Sequence, residues 1–173
     1  AENIAEVMGI IERWVRLNKS LLLLTKIENK QFLDNQTVSL NEIVRKNVSD
    51  LEEIALFKNV KFYVNETAQL SVQMDASLAN VIISHLLRNA IFHNIPNGSV
   101  TLLITDKAVK ISNTGSGQML DKNLTFTRFY KPNNQTSGTG LGLAIVKAIS
   151  DAYNFKVSYS FENSQHCFQI FFR

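Results

Sequence analysis

Apolar residues along the first part of the chain recur at spacings of three and four, which is typical of one face of an amphipathic helix. The recurring positions are Val7, Ile10, Trp14, Leu17, Leu21 and Leu24. A second row, formed by Met8, Ile11, Val15 and Leu22, makes this face wider than a two-stranded coiled-coil seam. The pattern predicts a helix in a bundle with several neighbours, because one helix cannot bury so wide a face alone. Polar residues 29–36 end the pattern, so a boundary is expected near residue 35.

The rest of the chain predicts helices interspersed with strands. Ser39 stands three residues before Glu42, a capping box for a helix that ends near Phe57. Two further helices are predicted at 78–93 and 142–152. Strands are predicted at 60–64 and 70–72 around a turn at 65–67, and then at 100–105, 109–112, 155–161 and 167–172. This order predicts an α+β fold for residues 36–173, a two-layer sandwich with helices on one face of a mixed sheet.

Composition narrows the class of protein. The 173 residues, 45% of them apolar, suffice for one core with an appendage. The net charge of +3 is spread along the chain, so no nucleic-acid partner is expected. The longest apolar run, near residues 21–24, is too short for a membrane span, and no signal peptide opens the sequence. Cys167 lies in the segment QHCFQIFF and predicts a buried strand thiol in a reducing, cytoplasmic setting.

Alternating glycines precede the helix predicted at 142. Gly138, Gly140 and Gly142 lead directly into it, and free amides at a helix start make an anion site suited to phosphates. A flexible linker is the alternative, but these glycines adjoin an amphipathic helix. The Walker sequence is absent, and Leu143 and Ile145 stand where a dinucleotide motif needs glycine. The Asp-Phe-Gly and His-Arg-Asp signatures of eukaryotic-type protein kinases are also absent.

A second segment places polar groups along the helix predicted at 78–93. His85, Asn89 and His93 are spaced by four residues and therefore share one face. Histidines that only cap or pack are the simple alternative. A metal site made by protein groups alone is disfavoured, because no cysteine or carboxylate cluster completes the set.

A third segment ends a predicted strand with a polar amide and two glycines. Asn113, Gly115 and Gly117 would let a base or sugar lie close to the backbone. A plain turn at the end of a strand explains the same residues equally well when they are considered alone.

The order and spacing of the three segments resemble the ATP-binding domain shared by sensor histidine kinases, DNA gyrase and the heat-shock chaperone ATPases. There, an Asn-bearing helix, an Asp-x-Gly-x-Gly turn and a Gly-x-Gly-x-Gly helix start follow in this order. Residues 126–131, FTRFYK, resemble the aromatic box that histidine kinases have and gyrase-like ATPases lack. Residues 17–29 resemble the second helix of the kinase dimerisation bundle. The resemblance implies a bundle helix at 1–35 and a catalytic domain at 36–173.

The resemblance also implies roles for individual residues. Asn89 would bind Mg²⁺ with its amide oxygen, and Asn113 would accept a hydrogen bond from the adenine amino group where the family usually has aspartate. Arg128 or Lys131 would bring positive charge to the γ-phosphate. The implied catalytic residues are Asn89, His85 and Arg128. The implied ATP-binding residues are Asn89, His93, Asn113, Gly115, Gly117, Arg128, Phe129, Lys131, Gly138, Thr139, Gly140, Leu141 and Gly142.

The sequence departs from the family at two further positions. His85 stands where asparagine is common, and Phe92 replaces a phosphate-contacting lysine, for which His93 or Lys131 could compensate. His85 is a candidate general base, but a neighbour of the metal shell is the favoured interpretation, since phosphoryl transfer needs mainly positioning. Residues 132–137 would form a mobile lid over the nucleotide, or an ordinary solvated loop.

None of His85, His93 and His166 has the sequence context of the family's phosphate-accepting histidine. The acceptor is therefore expected on an upstream helix, together with segments that anchor the full-length protein in the inner membrane. The implied function is γ-phosphoryl transfer from Mg-ATP to that histidine and relay to the receiver domain of a response regulator, with a homodimer formed through the bundle helix. A nucleotide-binding module without kinase activity and a gyrase-like ATPase are the alternatives.

Overall fold

The computed structural model describes residues 2–31, 34–115, 117–132 and 138–172. The helices are α1 Glu2–Glu28, α2 Leu40–Phe57, α3 Ala76–Phe92 and α4 Gly142–Ala152. The strands are β1 Gln36–Ser39, β2 Lys61–Glu66, β3 Ser71–Met74, β4 Ser99–Ile104, β5 Ala108–Thr114, β6 Lys156–Glu162 and β7 Gln165–Phe171. Each predicted helix is present, and α4 has the predicted bounds.

Five strands form the main sheet in the order β2-β4-β5-β7-β6. Strands β2 and β4 pair in parallel, and the other neighbours are antiparallel, so the sheet is mixed. Buried and half-buried residues alternate along β4, and its buried Val100, Leu102 and Ile104 belong to one core with α3 and α4. The expected α+β sandwich is therefore confirmed.

Two strand predictions need correction. The turn predicted at 65–67 begins too early, because β2 continues through Glu66, which pairs with Ile104. Strand β1 was not predicted; it pairs with β3 in a separate two-stranded sheet, where Val38 lies opposite Val72. Four residues with one buried side chain are too short for a period of two to be recognised.

Side-chain caps fix the starts of two helices. The amide of Glu42 donates to Ser39 Oγ at 3.4 Å, as the capping sequence predicted. Asp75 caps α3 by accepting from the amides of Ser77 at 2.8 Å and Leu78 at 3.2 Å. This cap explains why α3 begins at Ala76, two residues before the predicted start.

The C-terminal part of helix α1 packs against the rest of the molecule. Leu24 and Ile27 are buried in the core beside α4, whereas Val7 and Trp14 remain exposed. Most of the apolar face predicted for this helix is thus uncovered. Within the described part of the chain, no helix combines the length and apolar character that crossing a membrane requires.

Candidate functional site

Helix α3 carries a row of polar residues, with His85 and Asn89 one turn apart and His93 at the C-cap. His85 and Asn89 are half-buried, and His93 caps the C-terminal end, where its amide donates to the Asn89 carbonyl at 3.0 Å. The residues on the other sides of the same turns, Leu86, Leu87, Ala90 and Ile91, are almost completely buried. The packed face therefore holds the helix fixed, while the polar row borders a space that solvent can reach.

His85 lies against the first turn of α4. A Cβ atom added to Gly142 would stand 3.2 Å from His85 Nδ1, so the absence of a side chain lets the two helices approach closely here. Leu141 occupies the N-cap position of α4 and provides no side-chain hydrogen bond to the first amides. Those amides, together with the positive end of the helix dipole, are suited to a bound anion.

The surroundings of His85 keep its imidazole neutral at physiological pH. Burial lowers the pKa of His85 from 6.5 to about 4, and the positive charge of Arg88 acts in the same direction. A histidine with so low a pKa is a weak base near neutral pH. It can still donate or accept one hydrogen bond beside the start of α4.

The pKa of His85 predicts a pH dependence of stability. Between about pH 4 and 6.5 the unfolded chain binds a proton at this residue that the folded chain does not, so the free energy of unfolding falls as the pH falls through this window. In urea titrations across that range, His85→Asn is expected to flatten the dependence. His93→Asn is the comparison variant, since His93 is more exposed and should change the slope less. If the free energy of unfolding of His85→Asn depends on pH as steeply as that of the wild type, the pKa of His85 is not lowered in the folded chain.

Asn113 lies at the end of β5 with its side chain buried. Its Nδ2 donates to the Thr114 carbonyl at 2.9 Å, which uses the amide's donor end inside the protein. The Oδ1 atom is left as the acceptor that adenine would need. The strand register sets Asn113 directly opposite His166 of β7.

His166 explains why residue 115 is glycine. A Cβ atom at this position would come within 2.2 Å of His166 Cδ2 and 2.4 Å of Nε2. Gly117 has a positive φ of 81° and open space around its Cα. Sequence reasoning missed a site role for His166, because its position next to Asn113 depends on how β5 and β7 pair.

The predicted aromatic segment connects α1 with the glycine loop. The Arg128 guanidinium forms an ion pair with Glu28 at the C-terminal end of α1. The next residue, Phe129, has a φ of 63°, and its amide donates to the Gly140 carbonyl at 2.8 Å. Gly140 itself has a φ of 74°, and a Cβ there would lie 2.8 Å from Phe129 Cα. Arg128, Phe129 and Gly140 thus form one continuous contact.

The other predicted positions differ in burial. Leu141 is buried, Thr139 and Lys131 are half-buried, and Gly138 has open space around it. Of the predicted lid at 132–137, residues 133–137 lie outside the described residues. The described ranges hold no cluster of three histidine, cysteine or acidic side chains suited to a metal. Asn89 fits Mg²⁺ only together with oxygens from a ligand and water.

Comparisons with known proteins agree with this geometry. A family described as "Histidine kinase-, DNA gyrase B-, and HSP90-like ATPase" matches residues 74–173, which contain α3, the turn after β5 and α4. The heme sensor protein HssS of Staphylococcus saprophyticus is 27% identical over 98% of this chain and 38% of its own length. The chain therefore spans well under half of such curated relatives.

Solved structures show the same fold. The histidine kinase AdeS of Acinetobacter baumannii superposes with a TM-score of 0.80 and 24% identity, covering 98% of this chain and 82% of that one. The histidine kinase ThkA, solved in complex with the response regulator protein TrrA, superposes with a TM-score of 0.74 and 21% identity. The match covers 100% of this chain and 51% of the ThkA chain. Both structures extend over α1 as well as the sandwich.

Proposed function

We propose that this chain binds Mg-ATP and transfers its γ-phosphate to a histidine on an upstream helix. The chain belongs to the histidine kinase-, DNA gyrase B- and HSP90-like ATPase family and is a histidine kinase ATPase domain. One observation carries the proposal: His85, in the polar row of α3, lies against Gly142 at the uncapped start of α4. The side-chain amide of Asn89, which can bind a metal ion, is on the same row, and the first N–H groups of α4 have no side-chain cap.

The nucleotide lies along this junction. Asn113 accepts from the adenine amino group, and the turn at Gly115 and Gly117 admits the purine. Asn89 would hold Mg²⁺ through its amide oxygen, because the ion prefers hard oxygen ligands. When bound, the ion would supply positive charge that offsets the charge of the transferring phosphoryl group.

Backbone amides hold the phosphates at the start of α4. Gly138, Gly140 and Gly142 present N–H groups without a Cβ atom in the way, and Thr139 and Leu141 contribute amides between them. His85 orients this turn as a neutral neighbour of the metal shell, since its pKa of about 4 makes it a poor base.

Positive charge near the terminal phosphate comes from the aromatic segment. Arg128 and Glu28 are about half exposed, so their ion pair contributes at most about 1 kcal/mol. Arg128 can therefore exchange Glu28 for the γ-phosphate at little cost. Lys131 and Phe129 complete this side, and His93 borders the nucleotide at the end of α3.

Residues 1–35, which contain helix α1, belong to a dimerisation bundle and contribute its second helix, and the catalytic domain follows at 36–173. The exposed apolar residues of α1 are buried when two copies associate and the upstream acceptor helix is present. The receiver domain of a response regulator takes the phosphate from the acceptor histidine. The domain works in the cytoplasm, and upstream segments anchor the full-length protein in the inner membrane.

Phosphorylation of a longer protein tests the function. The 173-residue chain, incubated with Mg-ATP, is expected to form no acid-labile phosphohistidine, whereas a protein extended upstream through the acceptor helix should form it. The extended protein with its acceptor histidine changed to glutamine is the control. Steady ATP hydrolysis by the short chain would instead favour a gyrase-like ATPase. Nucleotide binding without transfer in the extended protein would indicate a binding module without kinase activity.

A further inference from the structure

The imidazole of His166 lies where the base of the nucleotide is proposed to bind, and no role above uses it. Asn113 and His166 are direct partners across the β5–β7 pair, so their side chains project from the same face of the sheet. Both are buried, with exposed fractions of 2% and 8%. An amide and an imidazole therefore stand side by side at the end of the sheet that carries Gly115.

Hydrogen bonds determine which nitrogen of His166 carries the proton. The amide of Leu120 donates to Tyr159 Oη at 3.0 Å, and Oη lies 2.9 Å from His166 Nδ1. If Nδ1 carried the proton, the Tyr159 hydroxyl would accept from both Leu120 and His166. Its own hydrogen would then have no acceptor among the described residues. The hydroxyl therefore donates to Nδ1, and the proton of the neutral ring is on Nε2.

The neutral state follows from the surroundings of the ring. Burial lowers the pKa of His166, and the nearby His93 lowers it further, so the imidazole is uncharged at physiological pH. Phe161 packs beside the ring with centroids 4.9 Å apart, and Tyr159 stacks at 6.0 Å. These contacts and the Tyr159 hydroxyl hold the ring in one orientation.

The Nε2–H group has no partner in the described part of the chain. It lies against Gly115, 2.4 Å from the point where a Cβ would stand. No fully enclosed side-chain nitrogen or oxygen lacks a partner among the described residues, so Nε2, which has no partner there, is not fully enclosed. A fixed donor that is open to contact thus belongs to the residue paired with Asn113 across the sheet.

We propose that Asn113 Oδ1 and His166 Nε2–H together read the edge of the base and make the site selective for adenine, an inference that rests on the nucleotide-binding function proposed above. Adenine presents an amino donor beside the ring acceptor N1, which complements an acceptor beside a donor. Guanine presents a carbonyl acceptor beside an N1–H donor, so both contacts would oppose like groups. Tyr159 is the positioning residue, because its hydroxyl fixes the proton of His166 on Nε2.

Binding of ATP and 1-deaza-ATP, in which N1 is replaced by a C–H group, tests the contact with His166. Calorimetry is expected to show ATP binding about five- to tenfold more tightly, the usual value of one buried hydrogen bond. In His166→Leu, which lacks the donor, the ratio should fall to near one. His166→Gln places an amide N–H at similar reach and should recover part of the preference.

The wild-type chain supplies a measurement that needs no variant. Nitrogen NMR of the histidine rings should show His166 protonated on Nε2 and that proton shifting when ATP binds, but not when 1-deaza-ATP binds. Equal affinities for the two nucleotides in the wild type, or an unchanged ratio in folded His166→Leu, would overturn the proposal. Failure of the wild type to bind either nucleotide would instead overturn the proposed function.

Discussion

Asn89→Ala is expected to lose magnesium-dependent ATP binding. Replacing a residue that only supports a metal ligand usually lowers affinity or activity by about tenfold to a hundredfold, and the loss of the ligand itself should be no smaller. Asn89 would supply the oxygen through which the protein holds the ion, and the described ranges offer no acidic cluster to replace it. Calorimetry with ATP, with and without Mg²⁺, measures the effect.

The fold should survive this substitution. The Asn89 side chain is half-buried and makes no hydrogen bond to another described residue, and alanine favours a helix more than asparagine does. Asn89→Asp is the matched control, because a carboxylate keeps an oxygen ligand and should retain magnesium-dependent binding. If the wild type and a folded Asn89→Ala bind ATP equally well in the presence of Mg²⁺, Asn89 is not a ligand of the metal.

Gly140→Ala is expected to destabilise the phosphate loop and weaken ATP binding. A left-handed backbone costs an alanine about 1–2 kcal/mol, and the new Cβ would in addition overlap the backbone of Phe129, only 2.8 Å from its Cα. Phe129 cannot move away freely, because it is itself at positive φ and hydrogen-bonded to Gly140. In a chain of this size each kcal/mol lost lowers the melting temperature by about 2–4 °C.

Gly138→Ala provides the comparison within the same loop. Nothing lies within 4 Å of the added Cβ, and Gly138 is not at positive φ. Its alanine variant should therefore melt close to the wild type, since the added Cβ meets no neighbouring atom. If the two variants have the same melting temperature, the contact between Gly140 and Phe129 does not contribute to stability.

Arg128 and Phe129 connect the end of α1 to the glycine loop. Arg128 forms an ion pair with Glu28, the last residue of α1, and the amide of Phe129 donates to the Gly140 carbonyl. A shift of α1 would thus alter both the position of one cation and the support of the loop. This connection needs no change in the core, because the ion pair is about half exposed.

Much of the fold follows from patterns within one segment of chain. The polar row of α3 was predictable because His85, Asn89 and His93 follow the period of a helix, whose geometry is set within a few residues. Ser39 and Glu42 likewise fixed the start of α2, since a cap acts across one turn. The glycines before α4 predict an anion site for the same reason, because the amides of a helix start are unpaired wherever the helix lies.

Only the tertiary structure decided which of these segments meet. Asn113 and His166 are adjacent because β5 and β7 pair in one register, and a period of two along each strand does not specify that register. Arg128 reaches Glu28 across 100 positions of the sequence, and β1 exists because β3 offers it a partner. Helix caps and periodicity come from backbone geometry over a few residues, whereas strand partners and long-range ion pairs are selected by packing of the whole core, and that selection leaves no local signal in the sequence.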